Sequence, residues 1–154
     1  MSRISGPSIL FDFFATSQRV KLLLADAMAG SGLRPDEYAV YSVLVDGGPS
    51  SPTRMAEAVG MPPTTMSHYV RAMLERGHIQ RSRNPRDQRS AVLSLTPAGR
   101  AAHRRAAAAF ELANGRFLDA LDVTDASARR VLGALGRAAD AASVDLADAR
   151  SRTA

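Results

Sequence analysis

The chain has 154 residues, a formal net charge of +5 and a hydrophobic fraction of 45%, values typical of a globular domain with its own core. It contains no cysteine, which excludes disulfide bonds, thiolate catalysis and zinc–thiolate sites. No apolar run approaches the length of about 20 residues that a membrane span needs, so we expect a cytoplasmic protein that does not enter a membrane.

The excess positive charge is concentrated in the middle of the sequence. Residues 1–53 carry four basic and five acidic side chains (−1), residues 54–105 carry ten and three (+7), and residues 106–154 carry six and seven (−1). A basic segment between nearly neutral flanks is typical of a nucleic-acid-binding module whose flanking helices make no contact with nucleic acid. A basic face that meets only solvent would give the same distribution.

In the first half of the chain, apolar residues at helical spacing predict a helix over residues 8–29, which the glycines of "AGSGL" end. A second helix is predicted from Pro35 to about Asp46, and its apolar face would consist of Tyr38, Tyr41, Leu44 and Val45. Both the start at a proline and the stop at "GGPSSP" are ordinary helix boundaries.

Two short helices are predicted next. The first lies between the N-cap Ser51 and the stop at Gly60, and the second runs from about Pro63 to Arg76. The buried stripe of the second helix would consist of Met66, Val70, Met73 and Leu74. Two short helices joined by a tight turn predict a helix-turn-helix.

The period of the sequence then changes from helical to two-residue. "HIQRSR" and "AVLSLT" alternate and predict a β-hairpin, after which Thr96 caps the next helix. Apolar stripes predict helices over residues 97–121 and 125–148, the second capped by Thr124. Asn114-Gly115 is a turn dipeptide, but the apolar spacing continues through it, so we predict an uninterrupted helix.

The segment "MAEAVGMPPTTMSHYVRAMLERGHIQR" is followed by Asp87-Gln88-Arg89 at the hairpin tip and then by "LSLTPAG". On these residues the chain resembles the MarR family of bacterial transcription regulators, and the order of its helices extends the resemblance to nearly the whole chain. The resemblance implies a mainly α fold with a small β-hairpin in a single unit over residues 1–154. It places a winged helix-turn-helix lobe at 34–96, and N- and C-terminal dimerisation helices at 8–29 and 97–148.

The second helix of a helix-turn-helix reads the major groove, and this geometry predicts which residues meet DNA. They lie opposite the buried stripe: Pro63, Thr64, Thr65, Ser67, His68 and Arg71. The resemblance assigns the hairpin tip to the minor groove, where either Arg89 or Arg86 would enter and Asp87 would hold the turn in shape. Family members often carry an arginine where Gln88 stands, so which arginine enters is open. Three further residues are predicted to bind phosphates or else to be merely solvated: Arg54, Arg81 and Arg83.

The resemblance also implies a homodimeric repressor that binds a pseudo-palindromic operator in double-stranded DNA. A small effector, often aromatic or phenolic in the family, would release it by binding between the dimerisation helices and the DNA-binding lobe. Candidate pocket residues are Phe11, Phe14, Tyr38 and Tyr41, although an aromatic residue at helical spacing usually belongs to the plain core. Two alternatives stay open: a regulator without a small ligand, and a protein-interaction module on the same scaffold.

Motifs of enzymes are not found in the sequence. No glycine-rich phosphate loop, nucleophile elbow or paired-carboxylate site stands out. The three histidines, His68, His78 and His103, fall at unrelated spacings. We therefore expect no catalytic residues, no cofactor and no metal site.

Overall fold

The structure, a computed structural model, describes residues 8–84 and 87–153, without the side chains of residues 84, 87–90 and 153. In chain order its elements are α1 (Ile9–Ala27), α2 (Pro35–Asp46), α3 (Pro52–Val59), α4 (Pro63–Glu75), β1 (Ile79–Asn84), β2 (Asp87–Leu95), α5 (Pro97–Asp119) and α6 (Asp125–Thr153). The chain forms two compact units, one ending at Asn114 and the other beginning at Gly115. The mainly α fold with a small hairpin is confirmed.

Side-chain caps begin several helices where the sequence predicts them. In each case a hydroxyl accepts the backbone N–H three residues further along, at 3.2–3.3 Å, and the caps confirmed in this way are Ser51, Thr96 and Thr124. Helix α5 continues through Asn114-Gly115, as predicted. Local hydrogen bonding therefore sets most of the helix boundaries.

The core of the first unit is formed by α2, α3, α4, the hairpin and the start of α5, and its largest fully buried side chains are Tyr41, Met55, Met66, Met73, Leu93 and Val40. Two residues predicted to be buried are not: Val45 is 44% exposed and Leu74 is 38% exposed. Each directly follows a buried residue, and successive residues on a helix lie about 100° apart. Packing on one side of each helix therefore buries Leu44 and Met73 and leaves the residues after them, Val45 and Leu74, at the edge of the buried face.

The hairpin pairs antiparallel, with Ile79 opposite Leu95. A second connection, not predicted from the sequence, joins β2 to the segment before α3. Ser50 and Leu93 exchange two backbone hydrogen bonds, with N–O distances of 3.0 and 2.8 Å. The start of the helix-turn-helix is thereby fixed to the hairpin.

The "LTPAG" motif fastens the base of the hairpin to α5. Thr96 Oγ1 donates to the Gly77 carbonyl at 2.7 Å, and the Thr96 N–H donates to the His78 carbonyl at 2.9 Å. Gly99 lies against the same carbonyl, so closely that a Cβ added there would be 2.0 Å from the His78 oxygen. Only glycine fits at this contact.

Helices α1 and α6 leave large apolar side chains exposed. In α1, within the first unit, these are Ile9, Leu10, Phe11, Phe13, Phe14, Leu22 and Leu23. In α6, within the second unit, they are Val131, Leu132, Val144 and Leu146. Among residues 8–84 and 87–153, no helix has both the length and the apolar character needed to cross a membrane.

Candidate nucleic-acid interface

Helices α3 and α4 form the predicted helix-turn-helix, and a glycine makes the turn between them possible. Gly60 has a φ of 65°, a left-handed conformation that side chains disfavour. The Met61 N–H then donates to the Ala56 carbonyl at 2.9 Å, which closes the end of α3. Met55 of α3 and Met66 of α4 are fully buried in the same core. The turn is thus held from both sides.

The outer face of α4 carries the residues predicted to meet DNA. Five of the six are exposed, namely Pro63, Thr64, Ser67, His68 and Arg71, whereas Thr65 is half-buried. The Ser67 hydroxyl donates to the Pro63 carbonyl at 2.9 Å, and in this arrangement its oxygen can still accept a hydrogen bond from a base amino group. No side chain caps the start of α4, which leaves backbone N–H groups of its first turn for an anion.

Three arginines outside α4 were predicted to bind phosphates. Arg54 at the start of α3 and Arg81 and Arg83 on β1 are all exposed. Among the described side chains, which do not include that of Asp87, none lies within salt-bridge distance of these arginines. Their guanidinium groups are therefore available to DNA at little desolvation cost.

The hairpin tip was predicted to enter the minor groove. Arg86 lies outside the described residues, and of Asp87 and Arg89 only the backbone is described, at the start of β2. Their roles in DNA binding stay predictions.

Tyr69 of α4 and Arg76, the residue directly after α4, are tied to the first turn of α2. The Tyr69 hydroxyl donates to Asp36, and Arg76 donates to Glu37 Oε1 at 2.9 Å. Burial, together with the hydrogen bond to Asp36, raises the pKa of Tyr69 to about 12, so this hydroxyl keeps its proton. Glu37 also accepts the Arg34 N–H at 3.0 Å, which caps α2. Helix α2 therefore fixes the position of the recognition helix.

We expect Glu37→Ala to lower the free energy of unfolding by about 2 kcal/mol, because a nearly buried carboxylate with two partners is lost. Glu37→Gln should lose about half as much, since an amide oxygen can still cap α2 but carries no charge for Arg76. Urea unfolding followed by circular dichroism measures both values. Equal midpoints for wild type and Glu37→Ala would contradict the role given to Glu37.

Two cavities, each of about 820 Å³, adjoin α2. The recognition-helix cavity lies between the end of α1, the start of α2 and α4, where Thr65 and Tyr69 line it. The α2–α5 cleft is lined mainly by Tyr38, Ser42, Asp46, His103, Phe110 and Glu111. Both have the size of small-molecule sites.

The structure does not bring the four predicted pocket aromatics together. Tyr38 lines the α2–α5 cleft, whereas Tyr41 is only 1% exposed and its hydroxyl bonds to His78 Nδ1 at 2.7 Å. Phe11 and Phe14 are exposed on α1 and line neither cavity. The cleft residues Ser42 and His103 were missed, because only a fold that pairs α2 with α5 places them side by side.

No group of three or more metal-ligating side chains occurs in the part of the chain that the structure describes. The histidines are placed in separate surroundings: His68 on the outer face of α4, His78 against Tyr41 and His103 against Tyr38.

Comparison with known proteins places this architecture in a family. The profile of the MarR family matches residues 37–91. A "probable transcriptional regulator" from Pseudomonas aeruginosa is 32% identical, with a TM-score of 0.67 over 84% of this chain and 96% of that one. The chain belongs to the MarR family.

Two further solved structures show the same fold with a bound molecule. PcaV from Streptomyces coelicolor, in complex with its natural ligand, is 26% identical, with a TM-score of 0.71 over 92% of this chain and 99% of that one. The transcriptional repressor CouR, of which another structure is from Rhodococcus jostii RHA1, was solved bound to a 23-mer DNA duplex. It is 25% identical, with a TM-score of 0.70 over 86% of this chain and 92% of that one. No curated protein matches this chain.

This MarR-family chain is a DNA-binding transcriptional regulator. The exposed face of α4 and the exposed Arg54, Arg81 and Arg83 outside it are the described features that fit this function.

Proposed function

We propose that this MarR-family regulator is a homodimeric repressor that binds a pseudo-palindromic operator and leaves it when a small effector binds. The observation that carries the DNA-binding part is the exposed outer face of α4, together with the exposed arginines of α3 and β1. Two copies of this lobe would address half-sites about one helical turn apart.

The exposed apolar side chains of α1 and α6 support the dimer. Seven large apolar residues of α1 are exposed, and α1 has no buried residue at all. A helix that meets only water does not expose such a stripe, and a second copy of the chain would remove it from water. Dimerisation through the terminal helices would therefore explain why α1 and α6 carry apolar side chains that a single chain leaves exposed.

The effector would occupy the α2–α5 cleft, where Tyr38 supplies the aromatic surface predicted from the sequence. PcaV was solved with its natural ligand, which supports ligand control in a chain of the same fold. The effector would act by binding more tightly to an arrangement of the two lobes that does not fit the operator.

The test is a fluorescence-anisotropy titration of the purified protein with DNA from upstream of its own gene and with a scrambled duplex, at several salt concentrations. We expect tight binding to the native fragment that weakens steeply with salt, because each phosphate contact releases a counterion. Equal, weak binding to both duplexes would overturn the proposal and favour a protein-interaction module.

The dimer is tested separately by sedimentation equilibrium of the free protein. We expect one species with the mass of two chains. A monomer at micromolar concentration would remove the dimer from the proposal and leave the DNA-binding lobe unaffected.

A further inference from the structure

The walls of the α2–α5 cleft are aromatic and flat. The His103 ring stacks on Tyr38 with a centroid distance of 4.8 Å and an interplanar angle of 12°. Phe110 lies against the same tyrosine, also at 4.8 Å. Val43 and Ala107 are among the other apolar residues that line the cleft. Tyr38 is only 8% exposed against these two rings, so a planar ligand ring would meet the half-buried His103 and Phe110, since aromatic surfaces pack well in offset stacks.

The charge at the cleft has one sign. Asp46 and Glu111 line it, and among its described lining residues there is no lysine or arginine. Neither carboxylate has a salt-bridge partner within residues 8–84 and 87–153. Both act on the same ring: burial raises the pKa of Tyr38, a side-chain hydrogen bond with Ser42 lowers it, and the negative charges of Glu111 and Asp46 raise it, so that the pKa is raised on balance.

His103 adds a hydrogen-bond acceptor and no positive charge. The Ser42 hydroxyl lies 2.9 Å from the Tyr38 carbonyl and 3.0 Å from His103 Nε2. A carbonyl can only accept, so both contacts are satisfied together only if Ser42 donates to Tyr38 and His103 Nε2–H donates to Ser42. Burial lowers the pKa of His103, which favours this neutral ring. Nδ1 is then an acceptor, and the described residues supply no donor for it.

We propose that the α2–α5 cleft binds a planar aromatic molecule that carries a protonated amine. The ring would pack against His103 and Phe110, and the ammonium group would lie near Asp46 and Glu111, whose negative charges attract it. An aromatic carboxylate of the same shape would meet two carboxylates and no cation. This inference rests on the proposed effector site and adds the charge of its ligand.

The test compares three probes of nearly the same shape by isothermal titration calorimetry near neutral pH: 1-naphthylmethylamine, 1-naphthylmethanol and 1-naphthoate. We expect the amine to bind at least about tenfold more tightly than the carboxylate, with the neutral alcohol in between. A carboxylate that binds as tightly as the amine would overturn the inference, and so would no detectable binding of the amine at millimolar concentration.

The variant D46N/E111Q removes both cleft charges and keeps the side-chain shapes. The amine should lose about tenfold in affinity, and the preference for amine over carboxylate should disappear. The control E57Q/E75Q also removes two exposed carboxylates, which line neither cavity, and should leave all three affinities unchanged. Equal losses in the two double variants would overturn the inference, because only the net charge of the protein would then matter.

Failure of this inference is distinguishable from failure of the proposed function. The probe ranking is measured without DNA, and operator binding is measured without a probe. A protein that binds its operator but prefers the carboxylate keeps the proposed regulation and loses the cationic ligand.

Discussion

Replacing Gly99 with alanine lowers the free energy of unfolding by about 3 kcal/mol. The added Cβ would lie 2.0 Å from the His78 oxygen, 2.9 Å from the His78 carbonyl carbon and 3.0 Å from Leu95 Cδ2. The carbonyl cannot move aside without cost, since it accepts the Thr96 N–H at 2.9 Å. Overpacking against fixed backbone typically destabilises a protein by this amount.

Gly115→Ala is the matched control, because it is the same substitution in the same helix. Apart from its chain neighbours and the backbone of its own helix, no described atom lies within 4 Å of the position that its Cβ would take, so alanine should stabilise α5 by up to about 1 kcal/mol. Urea unfolding of the three proteins measures the difference. If Gly99→Ala unfolds at the wild-type midpoint, the close contact between α5 and the hairpin base is wrong.

We expect the variant Arg89→Ala to weaken operator binding by about tenfold to a hundredfold and to leave the unfolding midpoint unchanged. A guanidinium in a narrow minor groove gains from the negative potential there, and losing such a contact costs about 1–3 kcal/mol. The slope of log affinity against log salt concentration should become shallower by about one, because one positive charge, and with it about one released counterion, is removed from the interface. Fluorescence anisotropy at several salt concentrations measures both effects.

Arg104→Ala is the control for net charge, since Arg104 is exposed on α5 and was not predicted to touch DNA. Arg86→Ala, measured beside it, identifies which arginine of the hairpin tip enters the groove. Full DNA affinity in both Arg86→Ala and Arg89→Ala would remove the minor-groove role from the tip.

The features that the sequence predicts well depend on neighbouring residues. Ser51 and Thr96 cap helices where the pattern places them, because a cap is a hydrogen bond to a backbone group three residues away. The hairpin follows from its two-residue period in the same way. The exposed face of α4 follows from the spacing of Met66 and Val70 on its buried side.

The features that the sequence does not predict depend on contacts across the fold. Ser50 and Leu93 are hydrogen-bonded through their backbone groups, which are the same in almost every residue, so the sequence does not indicate this contact. His103 stacks on Tyr38 from a position 65 residues further along the chain, at a spacing that indicates nothing by itself. Val45 was wrongly predicted as buried because the apolar pattern of α2 does not say how wide an arc its neighbours cover.

The backbone bridge between Ser50 and Leu93 determines what can be removed from this molecule. The helix-turn-helix begins at Pro52 and ends at Glu75. The segment just before it is hydrogen-bonded to β2, which lies later in the sequence than Glu75. A peptide of α3 and α4 alone would lack Leu93, which is fully buried. It would also lack Gly99 of α5, which packs closely against the base of the hairpin. We therefore expect that the helix-turn-helix does not fold as an isolated segment. The smallest part of the chain that keeps its contacts runs from α2 into α5.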